Sequence, residues 1–358
     1  MKCKRITILI VLFGFLSFQN IASQTLPDQQ FNCFSIIVGK DASSDGSVFL
    51  AHNEDDHGLQ IVNMYQVPAL QHNKTDSIQL KNGGKVPQVE KTNSYIWFQM
   101  PQMDVSDSYI NEYGVVIVSD ACGSRETDGE LKDGGIIYWF RRLMAERSRS
   151  AKEAVKIGGK LIEEYGYASS GRTYAIADAN EGWMLSAVYG KHWVAQRVPD
   201  DQVAVIPNCY TIGEIDLSDT TNFLGSPDII DYAIQKGWYN PEIDGKFHFA
   251  KVYSKPGSRR NPGNVHRMWR GVCLISQKDF QIEDEFPFSI KPKKKISIKD
   301  LVRVLRDHYE GTELDNTNNY RLGNPYKLNK STICSLSLIH ISEPTRPLYI
   351  SYAVFCLK

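Results

Sequence analysis

Cys33-Phe-Ser-Ile-Ile-Val-Gly39, Asp41-Ala-Ser-Ser-Asp-Gly-Ser47 and Val48-Phe-Leu-Ala-His52 run consecutively near the start of the chain. The first and third stretches are short apolar runs of strand type. The second is rich in Asp, Ser and Gly, the residues that favour turns. Together they predict a β-hairpin. With the turn centred on Ser44, Cys33 faces Asp55 across the ladder and Asn53 lies one step of the pleat away. Local geometry alone therefore sets a cysteine beside the acidic Asn53-Glu54-Asp55 cluster.

Outward from the hairpin the pattern alternates in blocks. Gly114 to Ser119 reads as a buried strand, and Ile136 to Arg147 is apolar and basic at helical spacing. Ser150 and Glu153 form a capping box for a helix that runs to Tyr165 and stops at Gly166. Four strands follow as an antiparallel meander: Arg172 to Ala177, Gly182 to Tyr189, His192 to Val198 and Val203 to Pro207. Helices read at Pro227 to Lys236, capped by Ser226 and stopped by Gly237, and at Ile298 to Glu310, capped by Ser297. Blocks of strands followed by blocks of helices predict an α+β fold with segregated layers, not βαβ units. Lys291 to Lys295 reads as a solvated loop.

The ends of the chain read differently. Lys2, Lys4 and Arg5 precede an apolar run from Ile6 to Phe18, and Ile21-Ala-Ser23 supplies a cleavage site. Residues 1–24 therefore read as a signal peptide, and the protein is expected to be exported, periplasmic or extracellular. The apolar run is short of the ~20 residues that span a bilayer, so no membrane association is expected after cleavage. Residues 25–32 are polar and read as a short propeptide. Residues 33–334 form one domain, incomplete at its C-terminus. Leu336-Ser-Leu-Ile-His-Ile-Ser-Glu-Pro-Thr-Arg346 resembles the translation of a sequencing adapter. Residues 335–358 are therefore expected to be a foreign tail, the alternative being a native C-terminal strand, and His340 and Cys356 take no functional weight.

Lys+Arg and Asp+Glu are both 41, a balance that gives no support to nucleic-acid binding. The seven cysteines, at 3, 33, 122, 209, 273, 334 and 356, lack the paired spacing of a zinc site, and no metal or organic cofactor is expected. A cysteine nucleophile needs a base for its proton and a donor for the oxyanion. No papain or caspase motif surrounds any of these cysteines. An N-terminal cysteine meets the first need itself, because its α-amine has an ordinary pKa of about 7.7–8.0. That route requires the Asn32–Cys33 bond to be cut. A buried or disulfide-bonded Cys33 is the competing reading, and from spacing alone the stronger one. Lipid attachment is a further alternative, disfavoured by Gln30-Phe-Asn32 ahead of the cysteine.

Cys33 to Gly39, Asp45-Gly-Ser47 and His52-Asn-Glu-Asp55 resemble the opening of the peptidase D (dipeptidase A) type of cysteine dipeptidase, a family of N-terminal-nucleophile hydrolases. Asn111-Glu-Tyr-Gly114, Glu181-Gly-Trp183, Lys191-His-Trp-Val-Ala-Gln-Arg197, Val205-Ile-Pro-Asn208 with Ile212-Gly-Glu-Ile-Asp216, and Arg306-Asp-His-Tyr-Glu-Gly-Thr312 continue the likeness in order. The resemblance implies a four-layer αββα sandwich and hydrolysis of dipeptides through a thioester on Cys33. It implies Asn208 as the oxyanion donor and Asp55 as the contact of the nucleophile's amino group. Asn53, His52 and Asp120 are implied at the substrate, with His52 standing where many relatives carry Arg. On residues alone, Asn208 reads equally as a turn residue and Asp55 as a solvated hairpin end. Asp120 and Arg125 read better as a surface loop. The alternatives are an acylase of the same fold, acting on bile-salt or penicillin-type amides, and a secreted non-catalytic binding protein. Dipeptides are the expected partners, and a homo-oligomer is compatible.

Overall fold

The computed structural model describes residues 33–55, 63–99, 106–315 and 332–334, and the backbone of 352–357. The expected signal peptide, the propeptide and the rest of the tail lie outside the described residues. The chain opens with β1 (Phe34–Val38) and β2 (Val48–Asn53). Then come β3 (Asn63–Val67), the short β4 (Leu70–Gln71), β5 (Ser77–Gln79), β6 (Lys85–Pro87) and β7 (Lys91–Thr92), and β8 (Tyr95–Gln99), β9 (Ser106–Asn111) and β10 (Val116–Ala121). Helices α1 (Phe140–Arg147) and α2 (Ala151–Tyr165) lead into β11 (Tyr167–Ala177), β12 (Gly182–Gly190), β13 (Trp193–Val198), β14 (Val203–Ile206) and β15 (Phe223–Gly225). Helices α3 (Ile229–Gln235), α4 (Phe249–Tyr253), α5 (Pro262–Ser276) and α6 (Ile298–Leu305) follow, and β16 (Tyr352–Leu357) comes last.

Two main antiparallel sheets result, a small one ordered β14-β1-β2-β16 and a large one ordered β15-β13-β12-β11-β10-β9-β8-β3, beside two-stranded β4-β7 and β5-β6 ribbons. The alternation of side chains along each strand sorts them into three cores. Ile37, Val48 and Leu50 from the small sheet meet Val116, Val118 and Ala175 from the large one. On the other face of the large sheet, Ile117, Tyr174 and Ile176 pack under Phe140, Leu143, Val155 and Ile162 of α1 and α2. On the other face of the small sheet, Phe34, Ile36 and Phe49 pack under Met268, Val272, Leu301 and Val304 of α5 and α6. The layer order is helix, sheet, sheet, helix. Each large apolar side chain so buried contributes roughly 1.5–3 kcal/mol. This is why β1 and β2 are apolar on both faces: neither face meets water.

Several expectations change in detail. The hairpin pairs Ser35 with His52 and Phe34 with Asn53, one residue out of the expected register. The fourth strand of the expected meander, β14, leaves it and pairs with β1, Ser35 opposite Ile206. Its Val-Ala-Val-Ile sequence is apolar on both faces and needs two cores, which it finds beside β1: Ala204 and Ile206 in one, Val203 and Val205 in the other. Its expected place beside β13 is taken by β15. Helix α1 starts at Phe140, because Gly134 and Gly135 take φ of +82° and +73° and Ile136 bridges to Tyr167. Ser150 caps α2 as expected, while Glu153 Oε2 accepts from the Arg149 N–H. Ser226 Oγ accepts from the Trp193 N–H and does not cap α3, which begins after Asp228. The Ser297–Asp300 capping box starts α6, which ends at Leu305, and Tyr309 has φ of +68°. Helix α5 was not anticipated, although Asn261, Pro262 and the spacing of Val265, Met268, Val272 and Ile275 carry its signal. At the far edge β16, within the tail expected to be foreign, pairs with β2 from Tyr352 opposite Asn53 to Leu357 opposite Val48.

Candidate active site

Cys33 immediately precedes β1, the strand flanked by β14 and β2 at the centre of the small sheet, and is 1% exposed. The pleat sends Cys33, Ser35 and Ile37 to the face that meets the large sheet. The observed register sends His52 and Glu54 to that same face, and Asn53 to the other. Glu54 is therefore the acid opposite the sulfur: Cys33 Sγ donates to Glu54 Oε1 at 3.6 Å. Asp55, also buried, presents its main-chain oxygen at 3.9 Å from Sγ. Asn53 turns away and donates its amide to Leu305 O at 2.8 Å and Ile333 O at 3.0 Å. It braces the end of α6, not the substrate side expected for it.

A buried polar chain runs on from Glu54. Glu54 Oε2 lies 3.0 Å from His52 Nε2, and His52 Nδ1 lies 2.8 Å from Ser35 Oγ. Ser35 Oγ donates to Asp120 Oδ2 at 2.5 Å. Serine has one O–H, spent on Asp120, so its oxygen accepts from His52 Nδ1–H. His52 thus links Ser35 to Glu54. Asp120 is fully buried on β10 and reaches across the sheet interface, so its reading as a surface loop is overturned.

Asn208 lies just past β14. Its Oδ1 accepts from Arg267 Nη2 at 3.0 Å, which orients the amide. Its Nδ2 is buried and has no hydrogen-bond partner among the described residues. A buried N–H left unpaired costs about 1–3 kcal/mol, and such cost is tolerated where an anion is to be bound. Arg267 of α5, 1% exposed, also donates to Cys33 O at 2.5 Å, Asn264 Oδ1 at 2.9 Å and Gly263 O at 3.0 Å. One guanidinium thus fixes the Cys33 backbone and the Asn208 amide together. Burial pulls its proton affinity down, and Tyr309, Cys33 and Asp120 oppose that pull. Gly271 lets α5 approach this closely: a Cβ there would lie 2.3 Å from Phe34 Cζ.

Arg172 of β11 and Arg141 of α1 both donate to Ser119 Oγ, at 3.0 and 2.6 Å. Burial disfavours the Arg172 charge, but Tyr167, Tyr174, Glu54 and Cys33 more than offset it and raise its proton affinity. Sequence reading missed Arg267, Arg172 and Arg141. Arg267 lay within the legible pattern of α5, while the arginines on β11 and α1 carried no local signal. Arg125 is half-buried, 5.8 Å from the Trp238 ring. The other described cysteines are held as thiols. Burial pushes Cys209 up to about 11, despite Arg259 and Arg267, and Cys334 up to about 12. It pushes Cys122 higher still, and raises Cys273. Among the described residues no cluster of His, Cys, Asp and Glu is arranged to hold a metal ion.

The sequence model of peptidase family C69 matches residues 32–341. The chain belongs to peptidase family C69. Curated relatives of this C69 chain include a probable dipeptidase of Latilactobacillus sakei, 29% identical over 319 residues that cover 86% of this chain and 65% of the relative. A probable dipeptidase B of Streptococcus pyogenes serotype M1 is 26% identical over 303 residues, covering 81% of this chain and 59% of its own. The chain thus spans roughly three-fifths to two-thirds of the length of these two relatives. Among solved structures, penicillin V acylase from Agrobacterium tumefaciens aligns with a TM-score of 0.40 at 14% identity, over 80% of this chain and 76% of that one.

Proposed function

We propose that the protein is an exported cysteine dipeptidase whose nucleophile, Cys33, becomes the first residue of the mature chain. The observation that carries this reading is the Arg267 clamp. It joins Cys33 O to Asn208 Oδ1 and leaves the Asn208 N–H unspent beside the nucleophile. The dipeptidase names of the curated C69 relatives support the substrate class.

The reaction follows from these groups. Cleavage of the Asn32–Cys33 bond frees an α-amine, which takes the Sγ proton. The thiolate attacks the scissile carbonyl, and the Asn208 amide donates to the oxyanion. Collapse breaks the C–N bond, and the leaving amine takes the proton from the α-ammonium. Water then attacks the thioester with the same amine as base, releasing the acyl residue and restoring the thiol. Glu54, within hydrogen-bond distance of Sγ, helps hold the ammonium form. Residues 1–24 direct export, and removal of 25–32 activates the zymogen.

The test is mass analysis of the exported protein with a turnover panel of dipeptides against bile-salt and penicillin-type amides. The expected result is a mature chain starting at Cys33 that hydrolyses dipeptides, with turnover abolished in Cys33→Ala. Active material that retains residues ahead of Cys33 would overturn the mechanism.

A further inference from the structure

Beside the site lies a cavity of about 800 Å³. Its near wall is shared with the chemistry. Cys209, next in the chain after Asn208, lines it, and so does Asn264. The Asn264 amide donates both to Asn208 O at 3.1 Å and to Ser258 O at 2.9 Å. It therefore stitches the turn carrying Arg259 and Arg260 to the residue that offers the oxyanion donor.

The cavity is cationic on an apolar floor that includes Met268 and Phe286. Lys251 is neutralised by Glu285 at 2.9 Å. Arg125, Lys255, Arg259 and Arg260 also line the cavity and make no ion pair among the described residues, against two exposed carboxylates, Glu283 and Asp284. Arg259 is half-buried, as is Arg125, and its charge reaches the buried Cys209 thiol together with that of Arg267. The same field shows at His248: burial, then Arg259 and Lys251, draws its imidazole below the ordinary range.

A dipeptide has one cationic end and one anionic end. The anion belongs to the leaving residue, one step along the chain from the scissile carbonyl, ~3.8 Å between Cα atoms. Glu54 lies against the Cys33 sulfur, whereas the unpaired cations line the cavity that Asn264 ties to Asn208. This polarity admits the substrate in one direction. We infer that Arg259, backed by Lys255 and Arg125, receives the α-carboxylate of the leaving residue, whose apolar side chain packs on Met268 and Phe286. The inference rests on the dipeptidase reading and adds a specificity determinant to it: a free C-terminus, which restricts cleavage to the last peptide bond.

The experiment compares alanyl-leucine with alanyl-leucinamide on the wild-type protein, Arg259→Ala and Arg259→Lys. Guanidinium and carboxylate form a forked, charge-assisted pair, so its loss is read in binding. The expected result is a KM for the free acid about tenfold higher in Arg259→Ala, with kcat little changed, the amide unaffected and Arg259→Lys partly restored. Equal effects on acid and amide, or none on either, would overturn the assignment. If the wild-type protein turns over neither compound, the dipeptidase reading fails, and calorimetric titration of the same pair still decides the carboxylate site. Acid-selective binding lost in Arg259→Ala upholds it, and equal binding of acid and amide sinks it.

Discussion

Asn208 shows how much one side chain can be constrained by another. An isolated asparagine amide presents oxygen and nitrogen with equal ease. Arg267 removes that freedom, because only the oxygen can accept from Nη2. The nitrogen is then aimed by default, buried and unspent. On the proposed role of its amide as oxyanion donor, Asn208→Ala is expected to lower kcat by ~10²–10³ with KM little changed. Steady-state kinetics on a dipeptide substrate checks this.

At the scale of elements, two helices make opposite demands. Helix α5 must lie close to β1, and Gly271 permits it by leaving room for the Phe34 ring. Gly271→Ala gains helix propensity but forces Phe34 or the helix to move. The expected net loss is ~1–3 kcal/mol, measured by urea unfolding, with a fall in kcat because Arg267 rides on the same helix. Helix α4 is capped by His248, whose side chain accepts from the Lys251 N–H and so must be neutral. Burial and nearby cations lower its proton affinity in the fold below the reference value of 6.5. The unfolded chain therefore binds the proton more readily. Its contribution to stability is complete above pH 6.5 and declines as the pH falls through that value toward the lower folded pKa. His266, also lowered by burial, acts in the same direction. The melting temperature is expected to drop on acidification below about 6.5, and less steeply in His248→Asn, which keeps a capping oxygen without titrating. A thermal melt series in pH checks both variants.

Across the whole molecule, the polar chain that leads to Cys33 depends on contact between two sheets. Asp120 belongs to the large sheet, while Ser35, His52 and Glu54 belong to or follow strands of the small one. The chain Asp120–Ser35–His52–Glu54–Cys33 is continuous only when the sandwich is closed. Asp120→Ala removes the acceptor of the Ser35 hydroxyl across the interface. The expected cost is ~1–3 kcal/mol in chemical unfolding, and kcat falls with it because Ser35, which holds the His52 ring beside Glu54, is released.

The sequence determined what depends on neighbours along the chain. The Asp-Ser-Gly turn between two apolar runs fixed the hairpin, the capping residues fixed the starts of α2 and α6, and the blocks of strand and helix fixed the α+β class. The order of motifs around Cys33 and Asn208 was enough to bring those two residues forward as candidates. Only the tertiary structure decided which acid faces the sulfur, because a shift of one residue in register exchanges Glu54 for Asp55 by turning the strand over. It alone moved β14 out of the meander to the side of β1, and it alone brought Arg267 and Arg172 to the site. Hydrogen bonds to Cys33 O from 234 positions away leave no trace in local pattern, since their donors are chosen by how helices and sheets stack and not by the residues beside them.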